Sequence, residues 1–377
     1  MLKELPEKEL VEAMRCFQCG YCRARCPVFN VKGVGSWNAR GRLLLTVAES
    51  RGQIGSDEKV RQDFIDRIFS CTLCKSCEES CPPKVRVSDV IMSIREVFAS
   101  KEETPKPLLN LHKLIEETGN VLGSTTPPIK AIEELKTLEN SEGILFYPGC
   151  TATHSYPEIS NAAIKTLKLL KEPIAAIKNE NTCCGLFLDT VGLKDAFKKH
   201  REKIAQKFEK YDAVITPCPM CMNMIKDEYK IDAQHTTLAL KEMIDSGKIK
   251  LKKEVKMTAA YMDPCHLGRY AKIYEEPRHI LSQIPGLKLV ELEHNKEDSN
   301  CCGGPIRVTH NPIKDALTES ILKEAEQNEI EMIITACPTC FHSLSTLCVI
   351  YDIIPSDINQ LVAYSAELTK KFSRFHQ

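Results

Sequence analysis

The sequence predicts a multidomain chain: an all-helical domain followed by a duplicated, parallel α/β region. Three observations carry that expectation. First, nineteen cysteines occur among 377 residues, and eighteen fall into two repeated patterns. One pattern, C-x2-C-x2-C-x3-C-P, occurs at Cys16, Cys19, Cys22 and Cys26-Pro27, and again at Cys71, Cys74, Cys77 and Cys81-Pro82. The other is a single Cys, then Cys-Cys-Gly, then C-x2-C. It occurs as Cys150, Cys183-Cys184-Gly185 and Cys218/Cys221, and again as Cys265, Cys301-Cys302-Gly303 and Cys337/Cys340. Second, the three parts of this pattern recur at offsets of 115, 118 and 119 positions, which marks an internal duplication. Third, each copy alternates short apolar runs with amphipathic segments, as a parallel α/β sheet requires.

Residues 1–100 form the first domain. The two cysteine runs begin 55 positions apart, and the segment between them reads as helix. Asn38 to Ala48 holds an apolar run flanked by basic residues, and Asp57 to Phe69 sets Val60, Phe64, Ile65 and Ile68 at helical spacing. The segment before Cys16 has the same period. A compact bacterial ferredoxin sets its runs closer and joins them with hairpins, so a helical dicluster ferredoxin domain is expected here. Residues 101–142 read as a linker with Pro105, Pro107, Pro127 and Pro128, and a short amphipathic helix near Leu108–Glu117.

The first copy is assigned to residues 143–250 and the second to 251–377. In the first, Ile144-Leu-Phe-Tyr precedes Cys150, a run from Pro173 precedes the Cys-Cys-Gly, and Ala213-Val-Ile-Thr precedes Cys218. Helices follow from Pro157 and from Asp195 to Tyr211. In the second, Met257–Met262, Leu287–Glu291 and Met332–Thr335 precede Cys265, Cys301 and Cys337. In a Rossmann-like parallel sheet, ligands gather outside the carboxyl ends of the strands. Each cysteine element follows a strand and is expected to precede a helix, so the thiols converge on one edge, where helix dipoles favour negative charge.

Composition narrows the function classes. Lys+Arg and Asp+Glu both number 51, and a net charge of zero argues against a nucleic-acid binder with a broad basic face. No stretch reaches the roughly 18 apolar residues of a membrane span, and Met1-Leu-Lys-Glu-Leu-Pro lacks a signal core. A cytoplasmic location is expected, peripheral to a membrane only through a partner subunit. An odd cysteine count and adjacent Cys-Cys pairs fit metal ligation in a reducing compartment better than a disulfide framework.

The first pattern is a ferredoxin run. Three thiolates cap one cluster and the fourth, before Pro, turns to the other cluster. Cys16, Cys19, Cys22 and Cys81 are thus assigned to one cubane [4Fe–4S] cluster, and Cys71, Cys74, Cys77 and Cys26 to a second. C-x2-C also suits zinc, but two complete runs with both prolines favour iron. The second pattern offers five thiols per copy, one more than a zinc site takes. Gly185 and Gly303 let the backbone bend closely around a bulky ligand, and Pro219 and Pro338 stiffen the C-x2-C loops.

On these motifs, and on Ala39-Arg40-Gly41-Arg42, nearly the whole chain resembles the D-type subunit of the archaeal heterodisulfide reductases and the wider family with paired Cys-Cys-Gly domains. The resemblance implies a noncubane [4Fe–4S] cluster on each five-cysteine motif: Cys150, Cys183, Cys184, Cys218 and Cys221 for one, Cys265, Cys301, Cys302, Cys337 and Cys340 for the other. It implies that two such clusters flank a coenzyme M–coenzyme B disulfide and split it with two electrons from the cubanes. Both motifs are complete here, which favours catalysis over pure relay.

Further candidates follow from position. His266, directly after Cys265, is a candidate proton donor, with His154 in a looser analogous place. Arg269 and Arg307 are candidates for binding sulfonate, phosphate or carboxylate, set against an ordinary solvated role. Cys348 is expected as a buried apolar side chain, and Trp37 as core or interface. No dinucleotide fingerprint, P-loop or flavin motif is found, so hydride chemistry belongs to a partner such as a flavoprotein, a hydrogenase-type subunit or a membrane cytochrome. The leading expectation is reduction of a small disulfide. The alternative is a relay subunit beside a flavin enzyme that oxidises lactate, glycolate or glycerol 3-phosphate. A sensor or structural zinc protein is the third reading.

Overall fold

The computed structural model describes residues 4–54, 57–125, 143–170, 174–176 and 182–373. The Pro127-Pro128 part of the expected linker, Pro173 and the first three residues lie outside them.

The N-terminal region is helical throughout its described residues. Its elements are α1 (Glu7–Met14), α2 (Tyr21–Arg25), α3 (Pro27–Lys32), α4 (Ala39–Ser50), α5 (Glu58–Phe69), α6 (Ser76–Glu79), α7 (Val87–Ser100) and α8 (Lys106–Thr118). Asn38 caps α4 by accepting the Gly41 N–H at 2.9 Å, and Asp57 caps α5 by accepting that of Val60 at 3.0 Å. The Pro after Cys26 is the first residue of α3, where its missing N–H costs nothing. Helix α7 is the spine of the domain: Val87, Val90, Ile91, Ile94 and Phe98 form one buried stripe packed on Phe64, Ile68 and Phe69 of α5. Each large side chain buried there contributes about 1.5–3 kcal/mol.

Helix α8 is more than a tether. Leu108 joins the core of the helical domain, while Ile115 joins the core of the first α/β copy. The Cys183 N–H then donates to Gly119 O at 2.7 Å, tying this strut to the first Cys-Cys turn.

The two copies fold alike. The first sheet holds β1 (Ile144–Phe146), β2 (Ile174–Ala175), β3 (Ala213–Thr216) and β4 (Ala233–His235) in the order β2-β1-β3-β4. The second holds β5 (Met257–Tyr261), β6 (Leu287–Val290), β7 (Met332–Thr335) and β8 (Ile354–Asp357) in the order β6-β5-β7-β8. All pairings are parallel, with Leu145 opposite Val214 and Ala260 opposite Ile333. The strand order turns back between β1 and β3, and between β5 and β7, which opens a crevice at their carboxyl ends. Cys150 and Cys218 stand at the first crevice, Cys265 and Cys337 at the second.

Two features depart from the sequence reading. Each sheet has a fourth strand, β4 or β8, that was not expected. Both are short and polar at their ends, and Pro355 in β8 is tolerated because β8 is an edge strand. The elements after the second copy's cysteines are also not all α-helices: a π-turn, His266–Tyr270, follows Cys265, and a 3-10 turn, Gly304–Ile306, follows Cys302.

The copies pack face to face through helices Pro157–Leu167 and Ile358–Ser365, and through Thr236–Asp245 and Glu275–Ser282. The helical domain docks on both. Helix α7 sends the Arg95 guanidinium to Thr190 O of the first copy at 2.8 Å. His310 Nε2–H of the second copy donates to Asp66 of α5 at 2.8 Å. Among the described residues no helix is long and apolar enough to cross a membrane.

Asp357 supplies a pH-dependent contribution to this packing. It closes β8 and starts the next helix with a capping box, accepting the Asn359 N–H at 2.9 Å. Its side chain is fully buried, and burial raises the carboxyl to about 7, against the pull of Asn359. A carboxyl raised on folding favours the native state while protonated. That stability is therefore lost as pH rises from the ordinary carboxylate range through about 7. Asp357→Asn keeps a cap but cannot ionise. Between pH 5 and pH 8 the wild-type melting temperature should fall by roughly 3 °C more than that of the variant, read by thermal unfolding under anaerobic conditions.

Candidate functional site

The two ferredoxin runs fold as one repeated turn. Gln18 and Leu73, each two residues after the first Cys, are left-handed at φ 57° and 55°. Gly20 and Lys75, each one residue after the second Cys, are left-handed at φ 88° and 60°. Such turns aim successive N–H groups into a concavity that suits an anion.

Cys16, Cys19, Cys22 and Cys81 surround one hollow, with Arg40 in its wall. Cys26, Cys71, Cys74 and Cys77 surround the other, with Arg42 in its wall. Cys26 and Cys81 each cross to the hollow of the other run, and Cys77 stands in the shared wall of both. Four thiols around each hollow fit a cubane cluster. Among the described residues no three Cys, His, Asp or Glu side chains are placed to chelate a lone metal ion.

Arg40-Gly41-Arg42 serves both hollows. Arg40 Nη1 donates to Gln18 O at 3.1 Å in the first loop. Arg42 is buried and donates to Arg67 O at 2.6 Å, to Ser70 Oγ at 2.9 Å and to Cys26 Sγ at 3.9 Å. Burial pushes the Cys26 thiol up, and the Arg42 charge opposes that push. Between the two arginines, a Cβ on Gly41 would lie 2.0 Å from Gly35 O, so no larger residue fits.

The five-cysteine sets are also built alike. The N–H of Gly185 donates to Cys183 Sγ at 3.4 Å, and that of Gly303 to Cys301 Sγ at 3.4 Å. The left-handed φ of 86° and 73° at these glycines turns the N–H toward the sulfur. Side chains lock the turns from behind: His200 Nε2 to Cys183 O at 2.7 Å, Tyr229 OH to Cys184 O at 3.0 Å, and Thr318 Oγ1 to Cys302 O at 3.1 Å. The two sets approach each other. The thiols of Cys218 and Cys337, at the ends of β3 and β7, lie close enough to perturb each other across the duplication.

A cavity of about 340 Å³ opens onto the first set, lined by Cys150, Cys183, Cys184, Cys218 and Cys221. Cys71 of the second ferredoxin run borders the same cavity. Its walls are largely apolar, with Leu186, Phe187 and Met220 among them.

The remaining candidates fall in different places. Arg307 lines the cavity, and its charge pulls down the Cys150 thiol, which contact with Cys183 and then burial otherwise raise. His266 also lines the cavity, buried and stacked on Tyr270 at 4.2 Å. Burial lowers its pKa to about 4. His154 is not part of the cavity wall; its Nε2 is buried without a hydrogen-bond partner, and burial lowers its pKa.

Arg269 corrects the sequence reading most. It is neither solvated nor part of the cavity. It is buried between domains and donates to Cys74 O at 2.6 Å, Ser299 O at 2.8 Å and Glu297 O at 3.2 Å. Cys348 is buried in the second copy's core, and burial raises its thiol to about 12. Trp37 packs with Ile306 and Leu317 of the second copy, so it is an interface residue.

Sequence reasoning did not reach Asn223, Tyr270 or Arg95. Asn223 Nδ2 donates to His266 O at 2.8 Å and so joins the copies beside the cavity. Tyr270 OH donates to Leu73 O at 2.6 Å, and Arg95 to Cys71 O at 2.7 Å. Asn223, Tyr270 and, through Thr190 O, Arg95 act across a boundary between domains or copies, where spacing carries no signal.

Comparison with known proteins agrees with this architecture. A cysteine-rich domain family matches residues 144–226 and 259–345, and a 4Fe-4S dicluster domain family matches residues 12–85. The chain is 27% identical to the D-type subunit of dihydromethanophenazine:CoB–CoM heterodisulfide reductase from Methanosarcina barkeri, over 97% of each protein. It is 25% identical to a probable iron-sulfur-binding oxidoreductase, FadF, of Bacillus subtilis, over 91% of this chain and 58% of that protein, so relatives span archaea and bacteria. A hypothetical protein from Helicobacter pylori shares the fold, with a TM-score of 0.57 and 10% identity over 89% of this chain and 71% of that one.

The two arginines beside Gly41 should differ in effect. Arg42→Met removes the charged donor to Arg67 O and Ser70 Oγ, which keep only the bond to each other, at a cost of about 1.5–3 kcal/mol, and removes the cation beside Cys26. Iron per chain after anaerobic reconstitution should fall by about one four-iron cluster. Arg40→Met loses one partly exposed hydrogen bond and should retain nearly all its iron.

Proposed function

We propose that this chain, a heterodisulfide reductase-like protein of the D type that joins a dicluster domain to two cysteine-rich domains, reduces a disulfide of two small anionic thiols. The coenzyme M–coenzyme B disulfide is the type compound. The chain is an iron–sulfur oxidoreductase. A disulfide R–S–S–R′ takes up two electrons and two protons, the S–S bond breaks, and two thiols leave.

Bound [4Fe–4S] clusters supply one-electron carriers, two cubane in the helical domain and two noncubane in the duplicated region. The chain's own residues do the rest. One observation supports the reading above the others: both five-cysteine sets are complete, and they approach each other at Cys218 and Cys337 beside a cavity of about 340 Å³. One-electron disulfide cleavage would release a thiyl radical; clusters held by the two neighbouring five-cysteine sets would together supply the two electrons that avoid it.

Arg307 is the cation available in the cavity wall for a sulfonate, phosphate or carboxylate. The apolar wall of Leu186, Phe187 and Met220 excludes water from a reactive thiolate. Asn223 and the His266–Tyr270 stack hold the floor rigid between the copies. Electrons arrive through the helical domain from another redox subunit, since no nucleotide or flavin fingerprint occurs in this sequence.

Four clusters of four irons give about 16 Fe per chain. Cys183→Ser and Cys301→Ser should each cut reduction of the coenzyme M–coenzyme B disulfide at least about 100-fold, roughly 2.7 kcal/mol of barrier. Both variants should still take electrons from a reduced dye into the cubanes. Stoichiometric zinc in place of iron would overturn the reading. Full iron with no disulfide reduction and no spectral response to either thiol would make the chain a relay subunit.

A further inference from the structure

The two five-cysteine sets are equal in ligand number but unequal in surroundings. The first lines the cavity. The second is pressed against the helical domain, where the turn after Cys265 bonds the loop that carries Cys74. Three interactions make that junction. Arg269 donates to Cys74 O at 2.6 Å, Tyr270 OH donates to Leu73 O at 2.6 Å, and Lys272 pairs with Glu79. Lys75 in turn sits 4.0 Å over the Tyr270 ring.

Arg269 stands at the centre of this junction. Its guanidinium also holds Ser299 O and Glu297 O, in the segment that leads into Cys301. It thereby ties the Cys74 loop to the Cys301 turn through one planar group. Its charge lies close enough to act on Cys74, Cys265 and Cys301, and its Nη2 is buried without a partner. A buried cation with a spare donor is costly unless negative charge lies beside it.

The duplication provides an internal control. Arg269 is the fourth residue after Cys265, and the fourth residue after Cys150 is His154. Tyr270 likewise answers to Ser155. The first copy therefore lacks both the cation and the phenol at matching positions.

We propose that Arg269 is a positioning residue that couples the second ferredoxin-type set to the second five-cysteine set, so that electrons reach the duplicated region through copy two and pass to copy one where Cys337 faces Cys218. This rests on the reading that both copies hold clusters. The positive charge stabilises the reduced, more negative form of the groups on either side, and the carbonyl bonds fix their separation. Copy two is then the receiving centre and copy one the substrate-facing centre. Each transfer moves one electron, supplied by the external reductant and accepted finally by the disulfide.

The test uses the full chain, anaerobically reconstituted, with midpoints read by paramagnetic resonance in a potentiometric titration and rates by freeze-quench after mixing with a reduced dye. Arg269→Met should lower the midpoints of the second cubane and of the copy-two centre by about 59 mV, a tenfold change in the oxidised-to-reduced ratio. The first cubane should not move, and transfer into the duplicated region should slow at least tenfold. Arg269→Lys should restore the midpoints but not the rate, because it keeps the charge and loses the planar fork. His154→Met should change neither.

Unchanged midpoints and rate in iron-replete Arg269→Met would overturn the proposal, as would an equal effect from His154→Met. If Arg269→Met does not hold iron, Tyr270→Phe decides. It removes only the bond to Leu73 and should slow transfer with midpoints intact; an unchanged rate would overturn the proposal. A wild-type chain whose duplicated region carries no iron would overturn the functional reading itself, whereas the variant results bear on Arg269 alone.

Discussion

The structure depends on how one short segment, residues 67–74, has its main-chain carbonyls satisfied. Helix α5 ends there and runs directly into the second ferredoxin turn, so its last carbonyls lack helical partners. Three buried guanidinium groups from three different elements donate to carbonyls of this segment, beside the bonds from the Cys71 N–H to Ile68 O and from the Ser70 hydroxyl to Arg67 O. Arg42 of α4 takes Arg67 O, Arg95 of α7 takes Ile68 O and Cys71 O, and Arg269 of the second copy takes Cys74 O. Each bond joins a charged donor to a buried carbonyl and contributes about 1.5–3 kcal/mol. The same three charges surround the thiols of Cys26, Cys71, Cys74 and Cys301, so one arrangement closes the fold and offsets the negative charge of the ligands.

That arrangement explains why the domains form one body. Arg95 also bonds Thr190 O of the first copy, and Trp37 packs under Ile306 of the second. The helical domain is therefore wedged against both copies at the edge where their strands end. The cysteine elements occupy that edge because each follows a strand at or beside the point where sheet order reverses. The sheets themselves contribute only a scaffold, with Val214, Ile215, Ile333 and Ile334 fully buried in the central strands.

How much of this was legible in the sequence differs by kind of information. The thiol sets were legible because spacing in a short loop is geometry: C-x2-C-x2-C leaves one way to surround a corner, and Pro27 and Pro82 mark where the chain turns away. The duplication was legible through its offsets. The edge strands were not, because Ala233-Gln-His and Ile354-Pro-Ser-Asp are too short and polar to show a period, and are held by pairing with β3 and β7. Arg269 read as a surface arginine because burial of a charge depends on carbonyls 28, 30 and 195 positions away. The burial of His266 between two copies, which lowers its pKa, is likewise hidden from its neighbours in sequence.

The duplication raises a final physical question, which is why two equal motifs sit in unequal surroundings. A centre that receives electrons needs contact with its donor and protection from water. A centre that binds a substrate needs open volume and a cation that is not already committed. One site meets both demands poorly, since the buried guanidinium that serves the first would be spent before a ligand arrived. Here the demands are separated by position. Arg269 is bound to three carbonyls at the junction with the helical domain, whereas Arg307, also from the second copy, reaches across to the cavity of the first. The second copy thus lends its cations in both directions, one inward to the donor and one outward to the ligand. The two environments meet where Cys218 faces Cys337.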